Sequence, residues 1–162
     1  MTAVRAFSFV PSFRSERRVR HRAEQMFDLV ADVEHYPEFV PLCASLSVRS
    51  RRPGGEGRET LIADMSVGYK RIREKFTSRV ALDKPRLRVV VEYIDGPFSH
   101  MENIWTFRDE GDGARSVVTF FIDYEFRSRI LASLMGAMFD AAFRKFAQAF
   151  ERRADELYPL ER

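Results

Sequence analysis

From Leu42 to Phe126 apolar and polar residues alternate, the period of strands that bury one face. Leu42, Ala44, Leu46 and Val48 share one parity, opposite Cys43, Ser45, Ser47 and Arg49. Pro53-Gly54-Gly55-Glu56-Gly57 reads as a turn. Leu61, Ala63, Met65 and Val67 then form the next face. Gly68 marks a tight connection into Tyr69 to Val80, the most polarised stretch. There Ile72, Phe76 and Val80 oppose Arg71, Arg73, Lys75 and Arg79. Lys84-Pro85 and Asp95-Gly96-Pro97 bracket Leu87, Val89, Val91 and Tyr93. Met101, Asn103, Trp105 and Phe107 follow, then Gly111-Asp112-Gly113, a hairpin signal, and Val118, Phe120, Ile122, Tyr124 and Phe126. Short turns between six such strands predict an antiparallel meander. Phe7 to Arg20 reads as one earlier strand, interrupted around Pro11, with arginines at its exposed positions.

Outside the meander the period lengthens. Ala23 to Ala31 places Met26, Phe27, Val30 and Ala31 on one helical face, and Val33 to Glu38 reads as a second turn that Pro37 keeps short. Ser128 to Leu157 is the longest helical stretch. Ile130, Leu131, Leu134, Met135, Met138, Phe139, Ala142, Phe143, Phe146, Ala149, Phe150 and Leu157 recur along it at three- and four-residue steps. A helix of that length spans about 45 Å and needs a large apolar trough. A twisted sheet of seven strands, whose inward residues include Phe76, Trp105, Phe120 and Tyr124, supplies one. The predicted fold is therefore α+β and of the helix-grip type: a curved seven-stranded antiparallel sheet, two short helices after the first strand, and a long C-terminal helix across the concave face.

The 162 residues suit a single domain, 1–162, with one core. A net charge of +3 and a pI near 9.2 permit contact with anionic membrane or RNA without requiring it. One cysteine, Cys43, excludes an intramolecular disulfide and fits a reducing compartment. The first residues lack a secretory signal, and no window approaches a membrane span, so the expectation is an untargeted, cytoplasmic protein.

Catalytic and metal motifs are absent from the sequence. His21, His35 and His100 form no pair at helical spacing; Asp32 and His35, three apart, are a weak metal candidate, and none is predicted. No serine sits in a nucleophile elbow, and Asp64, Glu74, Glu92, Asp123 and Glu125 fall mostly on polar strand faces. Two features remain. One is the basic face of Arg71, Arg73, Lys75 and Arg79, which reads as a solvated strand face or as a contact for lipid or RNA phosphates. The other is an interior rich in aromatics, with fifteen phenylalanines, joined by Met65, Met101, Met135 and Met138. It makes either a filled core or a ligand cavity of roughly several hundred cubic ångströms.

The stretch Asp32-Val33-Glu34-His35-Tyr36-Pro37-Glu38-Phe39-Val40-Pro41-Leu42-Cys43 resembles a signature of the coenzyme Q-binding START-domain family. Tyr69-Lys70 with Glu74 to Val80, Gly96-Pro97-Phe98, Trp105-Thr106-Phe107 and Asp123-Tyr124-Glu125-Phe126 are similar to its later motifs. That family lies within the polyketide cyclase-like helix-grip superfamily, close to bacterial ribosome-association toxin proteins that share these motifs. The resemblance implies a bacterial, non-enzymatic carrier or chaperone that binds ubiquinone by its isoprenoid tail in support of respiratory electron transport, with no catalytic cofactor. The expected lining is Met65, Tyr69, Phe76, Val91, Tyr93, Trp105 and Phe120 from the sheet, and Met135, Met138, Phe139, Ala142 and Phe146 from the long helix. Phe39, Val40 and Phe98 line the expected mouth, near Pro97. The basic strand is then the expected peripheral contact with anionic membrane. The sister group implies a ribosome partner and inhibition of subunit association instead. The wider superfamily implies a third option, a cyclase-like enzyme using Tyr69, Tyr93, Asn103 or Tyr124.

Overall fold

The computed structural model describes residues 12–159. In chain order it contains β1 (Ser12–Val19), α1 (Ala23–Ala31), a 3₁₀ turn (Val33–Glu38), β2 (Cys43–Pro53), β3 (Arg58–Tyr69), β4 (Ile72–Asp83), β5 (Arg88–Asp95), β6 (Phe98–Glu110), β7 (Arg115–Phe126) and α2 (Arg129–Leu157). The part of the first predicted strand from Phe7 to Pro11 lies outside the described residues.

All seven strands join one antiparallel sheet in the order β1-β7-β6-β5-β4-β3-β2. The meander runs without crossovers from β2 to β7, and β1 closes onto the last strand. The predicted inward parities of β3, β6 and β7 hold. Leu61, Ala63, Val67, Met101, Trp105, Phe107, Phe120, Ile122 and Tyr124 are buried. In β2 the parity breaks, because a bulge between Cys43 and Ser45 rotates the strand. Cys43 turns inward and Ala44 outward, the reverse of the alternation expected there. In β1, Arg17 turns toward α2 and pairs with Glu151 rather than standing free in solvent.

α2 crosses the concave face on aromatic contacts. Phe139 meets Phe98 at 5.7 Å and Phe126 at 5.6 Å, Phe143 meets Tyr124 at 5.2 Å, and Phe150 meets Trp105 at 4.9 Å between ring centroids. Its buried stripe is Met135, Phe139, Ala142, Phe143, Ala147, Phe150 and Ala154. Ile130, Leu134 and Leu157, expected on that stripe, are 72%, 62% and 48% exposed. The helix enters on a Ser128 cap whose hydroxyl accepts from the Leu131 N–H at 3.1 Å. Its first turn carries Arg129 and no acid, and Gly136 sits where an added Cβ would touch nothing.

α1 buries Met26, Phe27 and Val30 as expected, and also Leu29 and Ala23. Phe27 packs edge-on against Phe107 at 5.8 Å. The 3₁₀ turn is pinned by the Tyr36 hydroxyl, which donates to the Val30 carbonyl.

On the outer face Asp64 departs from the expected solvated carboxylate. It is buried, accepting from the Thr77 hydroxyl at 2.5 Å and from Arg49. The Thr77 hydrogen bond, followed by Arg49 and Lys75, holds its carboxyl below the ordinary 3.8 against the opposing effect of burial. A lowered native pKa stabilises the fold above 3.8, and that contribution fades as pH falls through the lowered value. Asp64→Asn is expected to lose about 2 kcal/mol at neutral pH in urea denaturation, with a smaller loss in acid. An equal loss at both pH values would show that the ionised form is not the stabilising one.

Candidate functional site

Between α2 and the sheet lies an interior pocket of about 100 Å³. Its walls are predominantly apolar. Ala63, Met65 and Val67 of β3, Phe76, Ser78 and Val80 of β4, and Val91 of β5 form the floor. Phe98, Met101, Asn103 and Trp105 of β6 and Phe120 and Ile122 of β7 continue it. Phe139, Phe143, Phe146 and Phe150 form the roof, and Val33, Tyr36, Val40, Pro41, Leu42 and Leu46 close one side. The volume is well below the ~300 Å³ at the lower end of ligand pockets, so this form has room for a short hydrocarbon segment and not for a whole lipid.

Of the residues expected from the sequence, Val40, Met65, Phe76, Val91, Phe98, Trp105, Phe120, Phe139 and Phe146 face this pocket. Tyr69, Met138 and Ala142 instead line a groove on the outside of the same helix. Phe39 packs behind the roof, 5.0 Å from Phe150 and beneath the Arg153 guanidinium. Tyr93 stands edge-on to Phe98 at 5.7 Å, and Met135 is wholly buried; neither reaches the pocket. Ala63, Val67, Val80, Met101 and Ile122 went unselected although strand parity already turned them inward. Phe143 and Phe150 sat on the predicted helical stripe. Tyr36 had no periodic signal, since it reaches the pocket from the 3₁₀ turn.

Among the described residues no charged side chain lines the pocket. Its polar groups are largely occupied by one another or by the backbone. The Trp105 indole N–H donates to Asn103 Oδ1 at 3.0 Å, and Asn103 Nδ2 donates to the Phe121 carbonyl at 2.8 Å. Burial pushes the Tyr36 phenol far up and the Cys43 thiol up to about 11, so neither ionises near neutrality. Of the tyrosines and asparagine considered for acid–base chemistry, Asn103 alone lines the pocket. Asp32 and His35 do meet, at 2.7 Å, as a surface ion pair that raises the His35 pKa. Among the described residues they gain no third donor for a metal.

The outer groove has a volume of about 520 Å³ and runs between the first half of α2 and the β3–β4 hairpin. Tyr69, Lys70 and Ile72 form one bank, and Leu134, Ala137, Met138, Ala141, Ala142 and Lys145 the other. Pro41 and Leu42 line both groove and pocket, so they are the partition between them. Leu42 holds a left-handed backbone, φ 68°, with its carbonyl accepting from the Gly68 N–H at 3.0 Å. None of Arg71, Arg73, Lys75 and Arg79 of the basic strand lines this groove. Arg73 donates to the Lys70 and Ile72 carbonyls, and Arg79 pairs with Glu92 at 3.5 Å, while Arg71 and Lys75 are exposed.

A sheet gripping one long helix around an apolar pocket defines a START-like helix-grip protein. The chain belongs to the polyketide cyclase / dehydrase and lipid transport family, whose pattern matches residues 19–151. A ribosome association toxin RatA of Rickettsia prowazekii is 32% identical over 149 residues, 90% of this chain and 97% of that protein. The mitochondrial coenzyme Q-binding protein COQ10 homolog B of Xenopus laevis is 32% identical over 138 residues. Those residues are 83% of this chain, and they span 54% of that longer relative. Among solved structures, an 18 kDa protein of Caulobacter crescentus is 33% identical with a TM-score of 0.75, covering 93% of this chain and 99% of that one.

Gly96-Pro97-Phe98 sets the geometry of one end of the pocket. Gly96, at φ 144°, lies so close to β4 that an added Cβ would stand 2.6 Å from Phe76 Cβ and 3.0 Å from the Lys75 carbonyl. Pro97 is fully buried and its carbonyl accepts from the Arg127 N–H at 2.8 Å, tying the turn to the entrance of α2. Phe98 then meets Phe76, Tyr93, Tyr124, Phe126 and Phe139. Gly96→Ala is expected to cost about 3 kcal/mol in thermal or urea unfolding, from backbone strain plus the clash. Gly113→Ala, with positive φ but open space around it, is expected to cost only about 1 kcal/mol. Equal costs at the two sites would rule out a steric requirement at Gly96.

Proposed function

We propose that this chain is a single START-like lipid-binding domain that takes up the isoprenoid tail of a quinone such as ubiquinone between α2 and the sheet. In this reading it acts from the cytoplasm as a carrier or chaperone for respiratory electron transport, without catalysing a reaction. The observation that carries the reading is the aromatic-walled pocket with no charged lining residue. The likeness to a protein named for coenzyme Q binding supports it. A cyclase-like enzyme needs an acid or base facing its substrate; among the described residues this lining offers no charged side chain, and its Tyr36 hydroxyl is committed to the Val30 carbonyl.

Burial of hydrocarbon contributes about 0.8 kcal/mol per CH₂, so two five-carbon units supply about 8 kcal/mol, the scale of micromolar binding before ordering costs. The closed pocket accommodates only part of such a tail. Binding therefore requires α2 or the Pro41–Leu42 partition to move outward.

Trp105, the single tryptophan of the chain, lines the pocket and reports occupancy directly. A short-chain ubiquinone is expected to quench its fluorescence saturably, and ubiquinone is expected to co-purify on lipid extraction. Ala63→Leu, which fills the pocket from β3, should abolish both at a stability cost of about 1–3 kcal/mol. Quenching that Ala63→Leu leaves intact would place the quinone elsewhere and sink this reading.

A second reading is favoured by one specific observation. The likeness to RatA extends over 97% of that protein, and Arg71 and Lys75 stand exposed on the outer face of the hairpin. Ribosome association carried by Arg71, Arg73, Lys75 and Arg79 predicts co-sedimentation with ribosomal subunits that weakens steeply with salt. Reversal of the four charges should abolish it. A protein that sediments this way, and carries no quinone, belongs to the second reading.

A further inference from the structure

The stripe of α2 that the sheet leaves uncovered is apolar where a soluble helix is usually polar. Ile130 and Leu134, one helical turn apart, are 72% and 62% exposed, and Tyr69 across the groove is 46% exposed. The charges that line the groove have one sign. Lys70 stands over the Tyr69 ring at 5.3 Å, and Lys145 lies at the far end of the groove. Arg71 is beside Lys70 in the hairpin turn, and Arg127 and Arg129 are exposed at the helix entrance. Among the described residues no carboxylate lines the groove. Among the described residues none of these five cations enters an ion pair within 4.0 Å.

We propose that this face, the groove with the N-terminal third of α2 and the β3–β4 hairpin, docks the protein on an anionic lipid bilayer. The Ile130, Leu134 and Tyr69 side chains enter the acyl boundary, and the cations meet phosphates at headgroup level. Lysine stems are long enough to let their ammonium groups reach the phosphates while their methylenes cover apolar surface. Charge complementarity selects an anionic partner. Large exposed aliphatics select a bilayer over RNA, since phosphate contacts along a nucleic acid need the cations and gain nothing from Ile130 or Leu134. Docking stands independently of any pocket ligand. Its further meaning rests on the lipid-binding reading above: because Pro41 and Leu42 separate groove from pocket, a docked protein presents that partition to the membrane as a portal.

Flotation of the full chain with vesicles tests this. Binding is expected to vesicles of phosphatidylcholine mixed with phosphatidylglycerol, and to be weak with phosphatidylcholine alone. Each lysine near an anionic surface contributes about 1 kcal/mol, so Lys70→Gln with Lys145→Gln should weaken binding about 30-fold. Ile130→Ser with Leu134→Ser should weaken it at least as much, with an unchanged circular dichroism melt, since both side chains are already in solvent. As a gain-of-signal readout, Ile130→Trp should show a blue-shifted emission component on adding the anionic vesicles. Ala63→Leu, which blocks the pocket, should lose quinone yet float like the parent; a parent chain that floats but carries no quinone counts against the ligand and leaves the docking surface standing. Flotation that survives Ile130→Ser with Leu134→Ser overturns the proposal. So does a chain that ignores vesicles yet binds ribosomal RNA through the same lysines.

Discussion

The structure depends on the burial of one long helix in a sheet curved enough to receive it. α2 spans 29 residues, and the rings of Phe139, Phe143 and Phe150 are its main points of attachment. Such contacts give about 0.5–1.5 kcal/mol per ring pair beyond the area they bury, and their edge-on geometry fixes distance as well as affinity. One cluster gathers around Phe98 near the entrance of the helix, and another joins Phe150 to Tyr36, Phe39 and Trp105 farther along. The rings act as spacers that hold the helix off the floor. Where the floor carries Ala63, Val67, Ser78 and Val91, short side chains do not fill the gap, and the pocket results.

Much of this was legible in the sequence. The alternation in β3, β6 and β7 assigned the inward faces, and the motifs from Asp32 to Cys43 and at Gly96-Pro97-Phe98 resembled the family to which the chain belongs. Parity says which way a side chain points and nothing about how far away the opposite layer sits. That is why Met135 was expected to line a pocket and is instead packed solid, and why the expected volume exceeded the observed one. The bulge after Cys43 adds a residue without changing the residue types, so alternation put Ala44 on the wrong face. Ile130 and Leu134 continue the helical period beyond the part of α2 that the sheet covers. A periodic pattern carries no information about where its partner surface stops.

The chemistry of the pocket narrows what it can recognise. Asn103 accepts from Trp105 and donates to the Phe121 carbonyl, and the Tyr36 hydroxyl is committed to Val30. These groups satisfy each other and fix the rotamers around the cavity, at the expense of any contact they could make to a guest. On the lipid-binding proposal, a guest is selected by the girth of its hydrocarbon, with its polar head left for the rim.

α2 is also held unevenly along its length. From Phe139 to Ala154 it is clamped by rings and small buried residues. Before that, Met135 is its one fully buried side chain, Gly136 contributes no contact, and Arg129 sets a positive charge against the positive end of the helix dipole. Mechanically α2 is a beam held at both ends, by the two-residue link from β7 with its Pro97–Arg127 hydrogen bond and by the aromatic rings from Phe139 onward. Its sparsely packed span lies between them, over the groove and the Pro41–Leu42 partition, while the roof of the pocket sits in the firmly packed part.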